Sequence, residues 1–252
     1  MEPVLEVKNL TKIFHSEREK EILALDNISF QLYPGEVLGI VGESGSGKST
    51  LAKVVLQLMP VTKGSISICG QEINHFKEKQ LQKIYQQIQM VFQNPTSSFD
   101  PRKTLGDGIG ESLRNRGEKK EKVLCEVKTL LRQCGLSEEF AERYPHEVSG
   151  GQCQRAAIAR ALAIRPKILI CDEATSALDV TVQQQIMELL KELRQDRKLS
   201  YLFICHNLGL VQSFCDRILV MYEGKIVEEG TPDEVIKNPK SEYAKRLIES
   251  VF

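Results

Sequence analysis

Apolar and polar residues along the first third of the chain follow the patterns of β-strands. In the segment ISFQL at 28–32 every second residue is apolar, which predicts a strand with one buried face. After a YPGE turn, Val37–Val41 is apolar throughout, as expected of a strand buried on both faces. Isoleucines at 66 and 68 and the apolar residues of 88–92 predict two further strands. A stretch at about 49–58, which follows a glycine-rich turn, has helical spacing.

The rest of the chain passes through a helical region and then returns to alternating strands and helices. Residues 94–165 are mostly helical in pattern and are interrupted by several prolines. The elements predicted after it are a strand at 168–171, a helix at 182–193, a strand at 201–205 and a hairpin formed by 218–222 and 225–229. Alternating strands and helices indicate an α/β domain with a largely parallel sheet, into which the helical middle is inserted.

Composition and charge exclude several classes of protein. The 252 residues carry 34 Lys and Arg and 34 Asp and Glu, and this balance argues against binding to nucleic acid or anionic membranes by bulk charge. No apolar run reaches the 18 or more residues of a membrane span, and the first residues lack the apolar core of a signal peptide. Seven cysteines without CxxC spacing predict reduced thiols rather than a metal site. We therefore expect any contact with a membrane to go through a partner.

The sequence GESGSGKST at 42–50 contains the strongest chemical signal. It fits G-x-x-x-x-G-K-[ST] with Gly42, Gly47, Lys48 and Ser49, and it lies between a predicted strand and a predicted helix. In such a loop backbone N–H groups point at phosphate oxygens, the lysine reaches the β- and γ-phosphates, and the serine hydroxyl is a ligand for Mg²⁺. A chance glycine turn is the alternative, with a probability of roughly 1% from composition.

Two further segments carry polar groups typical of nucleotide sites. The strand ILIC at 168–171 ends in Asp172, which would lie near a metal, and Glu173, which could polarise an attacking water. An acidic strand end that faces solvent is the alternative. The turn VSGGQ at 148–152 opens a helical pattern and is a second potential anion site. On local grounds alone, an ordinary helix cap explains this turn better.

The order of five motifs joins these segments into one pattern. The phosphate loop, FQNP at 92–95, VSGGQ, CDEATSALD at 171–179 and a Cys-His pair at 205–206 follow one another in a single chain. This arrangement resembles the ATP-binding cassette (ABC) ATPase family over the whole chain. The resemblance implies an α/β P-loop NTPase fold with a mostly parallel core sheet, an antiparallel β subdomain and an inserted α-helical subdomain. We expect one ABC ATPase domain over 1–252, with the helical insertion at about 94–165 and a helical tail at about 232–252.

The resemblance also implies cofactors and site residues, the cofactors being ATP and Mg²⁺. Adenine would stack on Phe14, for which a plain core phenylalanine is the alternative. The implied catalytic residues are Glu173 as general base, His206 as a contact of the γ-phosphate and of Glu173, Gln93 as a contact of metal and water, and Lys48. The implied metal ligands are Ser49, Gln93 and Asp172. The phosphates would be held by Gly42, Glu43, Ser44, Gly45, Ser46, Gly47, Lys48, Ser49 and Thr50.

Members of this family work as a head-to-tail sandwich of two cassettes. The resemblance therefore implies that ATP on one cassette is covered by the turn VSGGQ at 148–152 of the other, which we call the signature turn. Asp179 would lie across the interface. The implied turn residues are Ser149, Gly150, Gly151 and Gln152. The implied partners are two transmembrane permease subunits, which would dock near Gln93 and the region 94–112, a second cassette, often a different one, and indirectly an extracytoplasmic solute-binding protein. The implied location is the cytoplasmic face of the membrane.

Several segments are similar to the oligopeptide, dipeptide and nickel importer branch of the family. They include QNPTSSFDPR at 93–102, the stretch around the signature and the tail from 238 onward, and no C-terminal cysteine cluster follows. Val148 stands where Leu is usual and Ala174 where Pro is common, and neither change removes a chemical group. We therefore expect an ATP-hydrolysing importer subunit for peptides or for nickel or a metallophore. The alternatives are a soluble ABC ATPase that acts on nucleic acid or ribosomes and a dimerisation switch with little turnover.

Overall fold

The computed structural model describes residues 1–15, 21–175 and 178–249, and these form two sheets and nine α-helices. The strands are β1 (Leu5–His15), β2 (Glu21–Leu32), β3 (Val37–Val41), β4 (Lys63–Ile68), β5 (Gln71–Glu72), β6 (Ile88–Val91), β7 (Ile168–Asp172), β8 (Ser200–Ile204), β9 (Arg217–Tyr222) and β10 (Lys225–Gly230). The helices are α1 (Lys48–Val55), α2 (Glu78–Tyr85), α3 (Leu105–Asn115), α4 (Lys120–Gln133), α5 (Gly150–Leu162), α6 (Val180–Arg197), α7 (Leu208–Phe214), α8 (Pro232–Lys237) and α9 (Glu242–Glu249).

The larger sheet has the strand order β10-β9-β3-β8-β7-β6. Its central strands pair in parallel, from β9 through β3, β8 and β7 to β6, and only β10 is antiparallel, as the second strand of the predicted hairpin. In a parallel sheet the carboxyl ends of all strands meet at one edge, where ligands commonly bind. The segments after β3, β6, β7 and β8, which hold most of the predicted site residues, therefore lie at the same edge.

The smaller sheet is antiparallel, with the order β2-β1-β4-β5. Strand β1 pairs with β2 on one side and β4 on the other, and its register shifts at three points against β2. This sheet is the predicted antiparallel β subdomain. Together with the parallel sheet and the helices between β6 and β7, it confirms the fold class predicted from the sequence.

Between β6 and β7 the chain forms α3, α4 and α5 and three short 3₁₀ turns, and all of these residues belong to the described part of the chain. Helices α3, α4 and α5 pack on one another. Thr104 caps α3 by accepting a hydrogen bond from the Asp107 N–H at 3.1 Å. Within the described residues, no helix has both the length and the apolar character needed to cross a membrane.

The core lies on both faces of the larger sheet, and β3 shows how one strand contributes to both. Val37 and Val41 belong to the cluster on the side of the helical region, whereas Leu38 and Ile40 belong to the cluster beneath the smaller sheet. All four side chains are at most 1% exposed. This double burial is the physical reason why the strand is apolar at every position but Gly39.

Candidate functional site

The phosphate loop predicted at 42–50 joins β3 to α1, so that the helix begins at Lys48. A Cβ atom on Gly42 would lie 2.2 Å from the backbone carbonyl oxygen of Met221, so only glycine fits at this start of the loop. The hairpin after β9 also contacts the loop, because the Gly224 N–H donates to the Ser46 carbonyl oxygen at 3.0 Å. The loop is therefore held against the sheet at the edge described above.

Lys48 crosses beneath this loop. Its ammonium donates to the carbonyl oxygens of Gly42 and Glu43 at 2.8 and 2.7 Å and approaches the Ser46 hydroxyl at 3.3 Å. Burial lowers the pKa of Lys48, and the nearby carboxylates of Glu173 and Asp172 oppose that shift. A buried cation at the centre of the loop is suited to bind an anion such as a phosphate group.

Asp172 ends β7 and lies beside the start of α1. The Ser49 hydroxyl donates to the Asp172 carboxylate at 3.0 Å. Burial raises the pKa of Asp172, the charge of Glu173 raises it further, and the Ser49 hydrogen bond opposes both. A hydroxyl and a buried carboxylate in contact fit the hard oxygen ligands that Mg²⁺ prefers.

Glu173 lies close to two other predicted catalytic residues. Its carboxylate accepts a hydrogen bond from the Gln93 amide nitrogen at 2.7 Å and lies 3.9 Å from Nδ1 of His206. Its backbone has φ 48°, a left-handed conformation uncommon for a residue with a side chain. The Glu173 N–H donates to the Ile204 carbonyl oxygen at 3.0 Å, which secures this conformation.

A cavity of about 430 Å³ opens above the loop, within the size range of small-molecule sites. Glu173 and most of the phosphate loop line it together. Sequence reasoning missed the rest of the wall, where the side chains of Ile22 and Leu23 on β2 are 57% and 49% exposed. No local motif in the sequence marks these residues. The described lining residues are Ile22, Leu23, Ala24, Ser44, Gly45, Gly47, Lys48, Ser49, Thr50, Glu173 and Glu223.

Phe14 lies on β1, opposite Ile22 of β2, and is not one of the described lining residues. The Lys12 ammonium lies over the Phe14 ring, 5.0 Å from its centroid, and donates to the Pro60 carbonyl oxygen at 2.9 Å. Phe14 is therefore the cross-strand neighbour of a residue that lines the cavity, and a cation lies over one face of its ring.

The turn VSGGQ starts α5 and is exposed at Ser149 and Gly150. Ser149 and Gln152 form a capping box, in which each side chain accepts a hydrogen bond from the other's backbone N–H. A Cβ atom on Gly151 would lie 2.5 Å from the Val182 side chain of α6, so the two helix starts are in close contact. The turn contributes none of the described residues that line the cavity.

Asp179 caps α6 through a hydrogen bond from the Val182 N–H at 3.0 Å, beside the signature turn. The motif that contains it, SALD at 176–179, has its first two residues, Ser176 and Ala177, outside the described residues. The structure therefore places Asp179 next to the signature turn, and Asp179 is not one of the described residues that line the cavity of the same chain.

A second cavity, of about 830 Å³, forms a groove between α1, α2 and β6 on one side and the helical region on the other. Leu58 and Phe92 in its wall are 53% and 37% exposed. Arg160 of α5 also lines the groove, and its guanidinium donates to the Ser98 carbonyl oxygen and stacks over the Phe99 ring. One lining residue, Phe92, directly precedes Gln93 in the sequence. Four others belong to the predicted docking region 94–112.

Comparison with protein families and characterised relatives agrees with this geometry. The model of the ABC transporter family matches residues 25–176. The chain is 45% identical to the oligopeptide transport ATP-binding protein OppF of Salmonella typhimurium, with 92% of this chain and 70% of OppF covered. OppF of Streptococcus mutans is 43% identical, with 98% and 81% covered. The glutathione import ATP-binding protein GsiA of Shigella dysenteriae is 45% identical over 99% of this chain, which spans 41% of GsiA.

Two solved structures are similar over most of the chain. One is the ATP-binding cassette MJ0796 in a dimeric, post-hydrolysis state with ADP and Pi, with a TM-score of 0.83, 32% identity, and 90% of this chain and 98% of that chain covered. The other is cbiO1 from Clostridium perfringens, part of the transporter complex cbiONQ, with a TM-score of 0.83, 28% identity, and 100% and 95% covered. These matches confirm the predicted ATP-binding and ATP-hydrolysing cassette, and none of these relatives supports the nucleic-acid or ribosome alternative. The chain belongs to the ABC transporter family of ATP-binding proteins.

Proposed function

We propose that the chain is the motor subunit of a membrane importer for short peptides, and that it hydrolyses ATP with Mg²⁺ in the cavity above the phosphate loop. The names of the relatives, oligopeptide transport and glutathione import, support peptides as the cargo class over nickel or a metallophore. The choice of solute is made by other subunits, because a cassette contacts nucleotide and permease rather than cargo.

The position of Glu173 is the observation that carries the proposed chemistry. Its carboxylate lines the same cavity as Lys48 and the loop, with Gln93 bound to one oxygen and His206 near the other. A carboxylate in this place can take a proton from a water molecule that attacks the terminal phosphate. Gln93 and His206 would hold the carboxylate in line with that water.

Ser49 and Asp172 would hold the magnesium ion, with Gln93 as a further contact. The ion, when bound, neutralises charge on the phosphate oxygens. Lys48 would bind the β- and γ-phosphates, and the loop amides of residues 42–50 would surround them. Adenine would contact the wall formed by β1 and β2, where Phe14 and the exposed Ile22 lie.

A second cassette would complete the site. The signature residues Ser149, Gly150, Gly151 and Gln152 are on an exposed turn, and Asp179 lies beside them. An exposed helix start attracts an anion. We infer that it covers ATP bound to the partner cassette, which is either a different cassette or a second copy.

The groove beside Gln93 would receive the permease. Its apolar wall at Leu58 and Phe92 suits a helix end of a membrane subunit, and Gln93 would transmit the nucleotide state to it. Two permease subunits would place the cassette at the cytoplasmic face of the membrane, with a solute-binding protein on the opposite side. The chain would act as a single domain over 1–252, with the helical region 94–165 as an insertion and 232–252 as a tail, of which 250–252 lie outside the described residues.

Affinity purification of the tagged chain from solubilised membranes tests this proposal. We expect two membrane subunits and a second cassette to be recovered with it. Leu58→Glu should reduce their recovery at least tenfold, whereas Leu124→Glu, which changes a 50% exposed leucine of α4 outside the groove, should not. Recovery of ribosomes or nucleic acid without membrane subunits would contradict the proposal, and so would equal recovery with both variants.

A further inference from the structure

Helix α9, near the C-terminal end of the described chain, contacts the phosphate loop through Tyr243. The Tyr243 hydroxyl accepts a hydrogen bond from the backbone N–H of Glu43 at 2.8 Å. The side chain is buried, and its ring stacks on that of Tyr222 at the end of β9, with the ring centroids 4.2 Å apart. A residue that lies 200 positions from the loop in sequence therefore forms part of its support.

The tail that carries Tyr243 is anchored at the start of α9. The buried carboxylate of Glu228 on β10 accepts hydrogen bonds from the backbone N–H groups of Lys240 and Ser241 at 2.9 and 2.8 Å. Ala244, next to Tyr243, is 1% exposed and belongs to the core. Because the backbone before α9 and the ring of Tyr243 are both held, the hydroxyl has a defined position.

The amide that Tyr243 accepts from belongs to the first turn of the loop. Lys48 donates to the carbonyl oxygens of Gly42 and Glu43. The segment 42–43 is thus held by two different groups. Lys48 binds its carbonyl oxygens, and the tail binds the Glu43 N–H. The Glu43 N–H donates to the tyrosine hydroxyl, so the hydrogen bonds to the phosphates would come from the other amides of the loop.

We propose that Tyr243 is a positioning residue for ATP binding, whose hydroxyl holds the entry of the phosphate loop in its phosphate-binding conformation. This inference rests on the proposed binding of ATP by that loop. A loop that is already ordered loses less conformational freedom when the ligand binds, which strengthens binding. Removal of the hydroxyl should therefore weaken the affinity for ATP and leave turnover at saturating ATP nearly unchanged.

The variant Tyr243→Phe tests this, because it keeps the ring stack on Tyr222 and removes only the hydroxyl. Calorimetric titration of the purified chain with Mg·ATP should give a Kd about fivefold higher than that of the wild type, the effect of one hydrogen bond. The kcat of the complex at saturating ATP should stay within about twofold. Tyr222→Phe is the matched control: it removes the other hydroxyl of the stacked pair, which forms no described hydrogen bond with the loop, and its Kd should match the wild type.

Two results would overturn this inference and leave the proposed function intact. One is a wild-type chain that binds Mg·ATP together with a Tyr243→Phe variant that binds it equally well. The other is an equal loss of affinity in Tyr222→Phe, which would indicate a general effect on the packing of the tail. A wild-type chain that does not bind Mg·ATP would instead overturn the proposed function. Thermal unfolding of the three proteins separates the loss of a loop contact from the loss of the fold. We expect their melting temperatures to lie within about 2 °C of one another.

Discussion

At the scale of single residues, Glu173 combines an unusual backbone with a defined set of partners. A left-handed backbone at a residue other than glycine costs about 1–3 kcal/mol and persists where surrounding contacts hold it. Here the Ile204 carbonyl oxygen holds the Glu173 N–H, and Gln93 binds the carboxylate. The side chain lines the cavity, which is what a base for an attacking water requires.

Replacing Glu173 by Gln should stop hydrolysis without preventing binding. Glutamine retains the shape and the contact with Gln93 but cannot accept a proton from water, so turnover should fall about 10²- to 10⁴-fold. Phosphate release and the Kd for Mg·ATP measure the two properties separately, and the Kd should stay within about threefold. Glu188→Gln, which removes an exposed carboxylate from α6, is the charge-matched control. Turnover close to wild type in Glu173→Gln would show that another group is the base.

At the scale of elements, sequence patterns predicted the strands whose burial is uniform or alternates regularly. Strands β3, β7 and β8 are buried at every position, so each forms a nearly continuous apolar run in the sequence. Strand β1 escaped prediction because its register shifts break the alternation after Val7, and Lys8 and Asn9 face solvent in succession. Helix α2 also went unpredicted, because Ile84 is its only buried residue.

Residues of the site were likewise predictable where a local sequence pattern contains them. The loop at 42–50, Asp172 and Glu173 were predictable because each belongs to a short motif next to a recognisable strand. The exposed Ile22 in the cavity wall belongs to no motif, and its position follows only from the packing of one sheet on another. The Tyr243 contact joins residues that lie 200 positions apart in the sequence, and no local pattern carries information about it.

The anchor of α9 provides a test at this scale. Replacing Glu228 by Gln should lower the free energy of unfolding by about 1–3 kcal/mol, because an amide offers only one oxygen to the two backbone N–H groups of Lys240 and Ser241. Urea denaturation measures the change. Glu242→Gln, on the same tail but exposed, should change stability by less than about 0.5 kcal/mol.

The loss in Glu228→Gln should also depend on pH. Burial acts to raise the pKa of Glu228, but the hydrogen bonds from Ser241 and Lys240 outweigh it and lower the pKa below the ordinary value of 4.5. A lowered pKa in the folded state stabilises the fold above that ordinary value, and the stabilisation is lost as pH falls through the folded pKa. The difference from wild type should therefore be largest near neutral pH and shrink below about pH 4.5. A difference that does not vary with pH would contradict this assignment.

At the scale of the whole molecule, the two proposed halves of the nucleotide site lie in different places on one chain. The phosphate loop and Glu173 line the cavity, whereas the signature turn at the start of α5 lies beside α6 and is exposed. Under the proposed function, both halves would act on one nucleotide when they come from two cassettes. The similarity to a dimeric cassette that holds ADP and Pi is consistent with that arrangement.

The mass of the Glu173→Gln protein in solution, measured by light scattering with and without Mg·ATP, tests this central claim most directly. The measurement is made on the chain alone and on the chain mixed with the second cassette recovered from membranes. The account predicts that Mg·ATP, but not Mg·ADP, brings two cassettes together in at least one of these samples, and that Ser149→Arg on the same background abolishes the association. A mass that does not respond to ATP in either sample, or an unchanged response with Ser149→Arg, would contradict the account.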